Sequence, residues 1–304
     1  MPHPRLALAR FLQHLPIGST GNPRAAVPID PRERFLPIRI RRRISMSNYQ
    51  VPVKLYMSAP VLSVRPDASL EEAYDVMVEG RISSLPVLDQ ERLLVGLISR
   101  TDLLRIGRQE SGSRPESDLL TLPDRTVSDE MTRDVLTVSP EMTLEVAAGL
   151  MVKHRVHRVV VTEDGKALGL LSTRDLMRAI DEKGTNLPLS ECMSSPVFTI
   201  RAEEPLGMAV ERLEKARVSG LVVVEDEWPV GVFTQPEALE ARYLPRATAV
   251  GDVMSPRILT LASRTRLHRA AAQAATTGVR RVVVQDGERL VGILSGLDFA
   301  QAVK

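Results

Sequence analysis

Gly169-Leu170-Leu171-Ser172-Thr173-Arg174-Asp175 decides the fold, because the chain carries this pattern four times. Gly96-Leu97-Ile98-Ser99-Arg100-Thr101-Asp102 comes before it, and Gly292-Ile293-Leu294-Ser295-Gly296-Leu297-Asp298 comes last. The third copy keeps Gly231 but ends Thr234-Gln235-Pro236-Glu237. Two other series recur at matching lags. Met57, Met131, Met193 and Met254 lie 74, 62 and 61 residues apart, and Leu70, Leu144, Leu206 and Leu267 follow suit, each with an alanine three residues on. Self-similarity at fixed spacing means one supersecondary unit used four times, so function belongs to the unit and its junctions.

Each unit opens around its methionine and enters a strand-like stretch: Val61–Val64, Val135–Val138, Val197–Ile200 or Ile258–Leu261. A helix follows. In the first unit Ser69 caps it and Glu72 reaches back in a capping box, while Leu70, Ala73, Val76 and Met77 keep helical spacing. A continuous apolar run such as Val159-Val160-Val161 predicts a strand covered on both faces. Polar turns, Asp164-Gly165 and Asp286-Gly287, lead to a second strand, and a last helix begins at Ser99, Ser172, Thr234 or Ser295. The order is β-α-β-β-α in about 55 residues, too small to stand alone, so units should pack in pairs.

These residues resemble the CBS domain, named for cystathionine β-synthase, over residues 51–303. The resemblance implies an α/β (α+β) fold of four modules packed as two pseudo-two-fold pairs, whose clefts hold adenosine-type ligands. Four modules in one chain are similar to the gamma subunit of AMP-activated protein kinase. The expected boundaries are module 1 at 51–106, a mobile linker at 107–126, module 2 at 127–181, module 3 at 189–242 and module 4 at 250–304.

The repeated ending suits a nucleotide. A Ser or Thr at a helix N-terminus offers free N–H groups and a favourable dipole to phosphate, and the carboxylate one turn on can accept from two ribose hydroxyls. The resemblance assigns these roles to Ser99 and Asp102, Ser172 and Asp175, and Ser295 and Asp298. Ser63, Thr137 and Thr260 are expected at the mouth of the cleft. Ser-x-x-Asp is equally a helix cap that needs no ligand. Thr234 and Glu237 form a doubtful site, since glutamate carries its carboxylate one methylene further. Before the apolar strand, module 2 has His157-Arg158 and module 4 has Arg280-Arg281, where modules 1 and 3 have Ser83-Ser84 and Ser219-Gly220. This alternation groups module 1 with 2 and module 3 with 4, and the basic members suit phosphates, or else an ion pair or solvated edge. His154 and His157 lack a third ligand, so no metal is expected.

Composition sets the remaining bounds. Only 3% of residues are aromatic, so the cores must be aliphatic, and no run of about 18 apolar residues suggests a membrane span. Cys192 is alone, which excludes an intrachain disulfide and fits a buried thiol in a cytoplasmic protein. Residues 1–45 hold nine arginines and two acids, a charge of +7 that leaves −5 for the rest. Residues 1–50 are expected to be a disordered basic arm: a nucleic-acid or membrane-surface tether, a targeting peptide, or a leader placed before a true start at Met46. No Walker loop, Gly-x-Ser-x-Gly or Cys-x-x-Cys appears, so no enzyme and no catalytic residue is expected. The expected function is regulatory: an adenine nucleotide (AMP, ADP or ATP, with S-adenosylmethionine or a cyclic dinucleotide as options) binds the clefts and rearranges the pairs to signal to an effector protein. The competing class is a ligand-free scaffold docking a kinase, channel or synthase. Closure of the four modules in one chain and a homodimer both stay open, and nucleic acid is expected only at the arm.

Overall fold

The computed structural model describes residues 49–113, 122–216 and 218–304. Module 1 comprises α1 (Leu70–Glu79), β1 (Ser84–Leu88), β2 (Leu94–Ser99) and α2 (Arg100–Ser113). Module 2 runs through α3 (Val127–Glu130), β3 (Thr137–Val138), α4 (Leu144–His154), β4 (Arg158–Glu163), β5 (Lys166–Ser172) and α5 (Thr173–Glu182). Module 3 holds β6 (Thr199–Arg201), α6 (Leu206–Lys215), β7 (Gly220–Glu225), β8 (Trp228–Thr234) and α7 (Gln235–Glu240). Module 4 holds α8 (Val250–Val253), β9 (Thr260–Leu261), α9 (Leu267–Thr277), β10 (Val282–Asp286), β11 (Arg289–Leu294) and α10 (Gly296–Val303). The apolar runs are the central strands, and β1 is buried along its whole length.

Modules 2, 3 and 4 each form a three-stranded sheet with a short parallel strand beside an antiparallel hairpin. Module 1 differs from its expected pattern. Its first strand shrinks to a single bridge between Val64 and Val87. The cause is Pro86. At the same register the Val160, Val222 and Val283 N–H groups donate to Leu136, Phe198 and Leu259, extending those ladders upstream. Proline has no N–H to offer Leu62, so the ladder stops.

Three smaller expectations also change. Ser69 Oγ accepts the Glu72 N–H at 3.0 Å, the half of the capping box that forms. In module 4 the turn is Gly287-Glu288, because Asp286 still pairs with Arg289 as the end of β10. The linker does not begin at Gly107: helical hydrogen bonding continues to Ser113, and residues 114–121 lie outside the described residues. The arm expected over residues 1–50 lies outside them too, except for its last two residues. Tyr49 is buried, its carbonyl accepts the Glu145 N–H, and its hydroxyl meets Thr185 Oγ1.

That contact belongs to a general device. The segment leading into each module caps the first long helix of its pair partner. Val51 O accepts from Leu144 N at the start of α4, and Arg125 O from Leu70 N at the start of α1. Leu187 O does the same for Leu267 N, and Thr248 O for Leu206 N. Helix N–H groups that have no intrahelical acceptor are thus satisfied in trans, reciprocally, within the pairs 1/2 and 3/4. The repeated methionine and the repeated glycine meet across the same junction. A Cβ on Gly169 would stand 2.9 Å from Met57 Sδ, and Met131, Met254 and Met193 crowd Gly96, Gly231 and Gly292 in the same way.

The two pairs then close on each other. Helices α4 and α5 of module 2 pack on α9 and α10 of module 4, and α2 of module 1 packs on α7 of module 3. One hydrophobic core therefore spans modules 2 and 4, with Met151, Leu171, Leu176 and Phe299 fully buried in it. A second spans modules 1 and 3, with Met77, Leu103 and Phe233. Full burial of each such side chain contributes about 1.5–3 kcal/mol. Among the described residues no helix is long and apolar enough to cross a membrane.

Candidate functional site

The four modules meet around a cavity of about 870 Å³. Its floor follows from the repeat: each β-hairpin ends at a hydroxyl residue that starts a helix. Ser99 N–H and Oγ–H donate to Asp102 Oδ2 at 2.9 and 2.6 Å, and Ser172 donates likewise to Asp175 Oδ2 at 2.8 and 2.6 Å. The capping reading of Ser-x-x-Asp is therefore realised at these helices, in module 3 as well, where Thr234 N–H donates to Glu237 Oε2 at 3.0 Å. Capping uses one carboxylate oxygen. Asp175 Oδ1 has no protein partner among the described residues and lines the cavity with Ser99, Asp102 and Ser172.

Module 4 is different. Asp298 is 3% exposed, its Oδ2 accepts from Ser295, and its Oδ1 accepts from Ser194 Oγ at 2.6 Å. Burial pushes this carboxyl above the usual carboxylate range despite those hydrogen bonds. Asp298, expected as a ligand contact, is thus closed over by the leader of module 3, and neither it nor Ser295 lines the cavity, whereas the doubtful Thr234 does. Neither Glu237 nor the three residues expected at the mouth line it. Thr137 and Thr260 are exposed, and Ser63 lines a separate recess of about 300 Å³ with Arg65, Glu72 and Arg92. Thr132, Asp134 and Val135, on the loop before β3, take the position given to Thr137.

The small and basic residues before the central strands interlock. Arg158 Nη2 donates to Ser83 Oγ at 2.6 Å, and Arg281 Nη2 donates to Ser219 O. A Cβ on Gly220 would lie 2.6 Å from Arg281 Nε, so the small member of each pair makes room for the large one. Arg280 crosses between pairs, reaching Ser83 Oγ at 3.3 Å. Eight arginines line the cavity against four carboxylates (Asp102, Asp134, Asp175 and Glu214). Burial, then Arg280, Arg100 and Arg174, pulls Arg158 down to about 10; desolvation, then Arg174 and Arg100, does the same at the solvent-exposed Arg280 against the pull of Glu237; and burial brings Arg281 equally low although Glu237 beside it acts the other way. Burial, then Arg281, Arg158 and Arg280, hold His157 at about 4, so its ring is neutral at pH 7. Arg100 Nε and Ser84 Oγ are buried without a partner. Among the described residues no group of three or more His, Cys, Asp or Glu is placed to hold a metal.

Sequence reasoning passed over Arg100 and Arg174 as spacers inside the repeated ending. It also missed Ser58 and Thr132, which line the cavity, and Ser194, which closes Asp298. A signal was present, since every repeated methionine is followed by a hydroxyl residue: Ser58, Thr132, Ser194 and Ser255. Each of these makes a two-way backbone bridge to its pair partner, as Ser58 does with Leu170 at 2.8 and 3.0 Å.

A family model for the CBS domain matches residues 53–108, 127–182, 189–243 and 250–304. The uncharacterized protein MJ1225 of Methanocaldococcus jannaschii is 22% identical over 205 residues, covering 62% of this chain and 69% of that protein. Its crystal structure, described as that of a candidate archaeal homologue of g-AMPK, superposes with a TM-score of 0.74 at 18% identity, covering 83% of this chain and 99% of that one. An uncharacterized conserved protein of Pyrococcus horikoshii gives a TM-score of 0.60 at 23% identity, with 83% and 100% covered. Inosine-5'-monophosphate dehydrogenase of Aquifex aeolicus is 33% identical over 118 residues, 38% of this chain but 22% of that enzyme. The repeat, the exchanged leaders and the matched model agree: this chain belongs to the CBS-domain family and carries four copies of the domain.

Proposed function

We propose that this chain is a regulatory protein that binds an adenine nucleotide of the AMP, ADP or ATP type between its paired modules. One observation carries the reading: the capped Ser-x-x-Asp endings of modules 1 and 2 open into one cavity whose lining holds eight arginines against four carboxylates. The Asp175 oxygen left over by capping suits a ribose diol, the guanidiniums suit phosphates, and about 870 Å³ is the size of a typical ligand pocket. Binding would favour one setting of the pairs, and that difference is the signal an effector protein reads.

The test is a thermal-shift series on the full chain with AMP, ADP, ATP, S-adenosylmethionine and a cyclic dinucleotide. A ligand at about a hundred times its Kd adds roughly 2.7 kcal/mol, enough to move the midpoint by several degrees. Asp175→Ala should lose that shift. A well-folded protein that responds to none of them would sink the proposal in favour of a ligand-free scaffold.

A further inference from the structure

We infer that the two pairs hinge where module 2 meets module 4 and give where module 1 meets module 3, with Arg242 as the latch on the yielding side. This goes beyond the nucleotide reading and holds whatever the cavity binds. A symmetry that exchanged module 1 with 2 and module 3 with 4 would make the two seams alike, and they are not. On the 2/4 side α5 packs on α9, α4 on α10, and α5 on α10. On the 1/3 side only the last of these has a counterpart, α2 on α7. Among the described residues neither α2 and α6 nor α1 and α7 pack closely. The cause is side-chain size at matched positions of the repeat. Where α9 has Ala271 and Ala274, α6 has Val210 and Leu213, 61 residues earlier. Where α4 has Ala148 and Gly149, α1 has Tyr74 and Asp75, 74 residues earlier. Helix axes approach only as closely as the side chains between them allow. The central cavity opens into the first of these gaps: Val210 and Leu213 line it with Leu104 and Arg105 of α2, and no residue of α9 does.

The second gap is spanned by Arg242, two residues past the end of α7. Its Nη2 donates to Glu71 Oε2 on α1 at 2.9 Å. Its guanidinium lies 4.1 and 4.2 Å from the ring centroids of Tyr74 and Tyr243. Tyr243 Oη donates to the other Glu71 oxygen at 3.0 Å. A few polar groups on a loop thus hold α1, where the 2/4 seam uses an interlocked apolar face. Polar satisfaction differs in the same direction. Among the described residues three buried side-chain atoms lack a hydrogen-bond partner, Ser84 Oγ, Arg100 Nε and Arg242 Nε, and all belong to modules 1 and 3. Burying such atoms costs free energy that a looser setting, open to water, recovers. Arg100 ties the cavity to the latch. It lines the cavity, and its Nη1 stands 3.9 Å from Glu240 Oε1 at the end of α7, two residues before Arg242.

Hydrogen–deuterium exchange of the full chain, with no ligand added, tests the inference separately from the nucleotide reading. In the unaltered protein the amides of α1, α6 and α7 should exchange faster than those of α4, α9 and α10, their counterparts at the other seam. Arg242→Ala should speed α1 and α7 about tenfold further, the factor carried by one charge-assisted hydrogen bond, and leave α9 and α10 unchanged. Glu71→Gln alters only a partly exposed side chain, so it keeps the test decisive if Arg242→Ala does not fold. It should act in the same direction by a smaller factor. Equal exchange at the two seams, or faster exchange at α9 and α10, overturns the hinge. Variants that leave α1 and α7 unchanged, or that speed every helix alike, overturn the latch.

Discussion

His157 shows how one residue's environment becomes a property of the molecule. Unfolded, its imidazole takes a proton near 6.5; folded, burial and then Arg281, Arg158 and Arg280 delay this to about 4. Between those values the unfolded chain holds more protons, so stability must fall as pH drops through the window, by up to about 3 kcal/mol from this group. Above pH 6.5 the loss is absent. Chemical denaturation from pH 7 to 4 should therefore show a steeper decline in the unaltered protein than in His157→Gln. Glycines offer a contrast at the same scale. Gly149 sits inside α4, and the nearest atom to an added Cβ is Lys304 Cγ at 3.7 Å. Gly149→Ala should stabilise by about 0.5–1 kcal/mol, the difference in helical backbone entropy. At Gly169 the same methyl meets the Ser58 carbonyl at 2.8 Å as well as Met57, and backbone cannot step aside. Gly169→Ala should destabilise by about 1–3 kcal/mol on the same thermal measurement.

Among the elements, the shortened first strand of module 1 has the most direct test. Pro86→Val introduces the N–H that Val160, Val222 and Val283 use, and valine already fills those three buried positions. The new bond to Leu62 O should add about 1 kcal/mol and make the residue 86 amide slow to exchange. An amide that exchanges freely would show that the bridge is limited by something other than proline. The elements were legible to the extent that their cause was local. Capped helix starts, unbroken apolar runs and the hydroxyl before each final helix all report on neighbours a few residues away. The sequence displayed both the methionine series and the glycine series, but not that each answers the other, because Met57 and Gly169 are joined by the pairing and not by the chain. The site divides in the same way. Ser99, Asp102, Ser172 and Asp175 follow from the repeated ending, whereas the closure of Asp298 by Ser194 depends on a hydroxyl 104 residues away.

At the scale of the whole molecule, the two large cores run between the pairs, and only a small cluster of Val222, Val224 and Val283 lies inside pair 3/4. Modules 2 and 4 share one large core and modules 1 and 3 share the second, so cutting between the pairs bisects both of these. A chain ending at Gly184 should expose the faces of α4, α5 and α2 that otherwise meet α9, α10 and α7. Such an apolar surface seeks a substitute, and the nearest in shape is a second copy of the same fragment. Light scattering should find that fragment as a dimer and the full chain with one fewer reason to dimerise. A monomeric, well-folded fragment would mean that the shared cores contribute less than their burial suggests.

The exchanged leaders also set a timetable for synthesis. Because α1 receives its cap from Arg125 and α4 from Val51, the first module cannot be completed when its own last residue leaves the ribosome. It must wait for residues 125–131 to emerge, and module 3 waits in turn for Arg246 to Met254. Folding on the ribosome should therefore advance by paired modules rather than by single ones, with the faces of α2, α4 and α5 left open until the second pair has emerged.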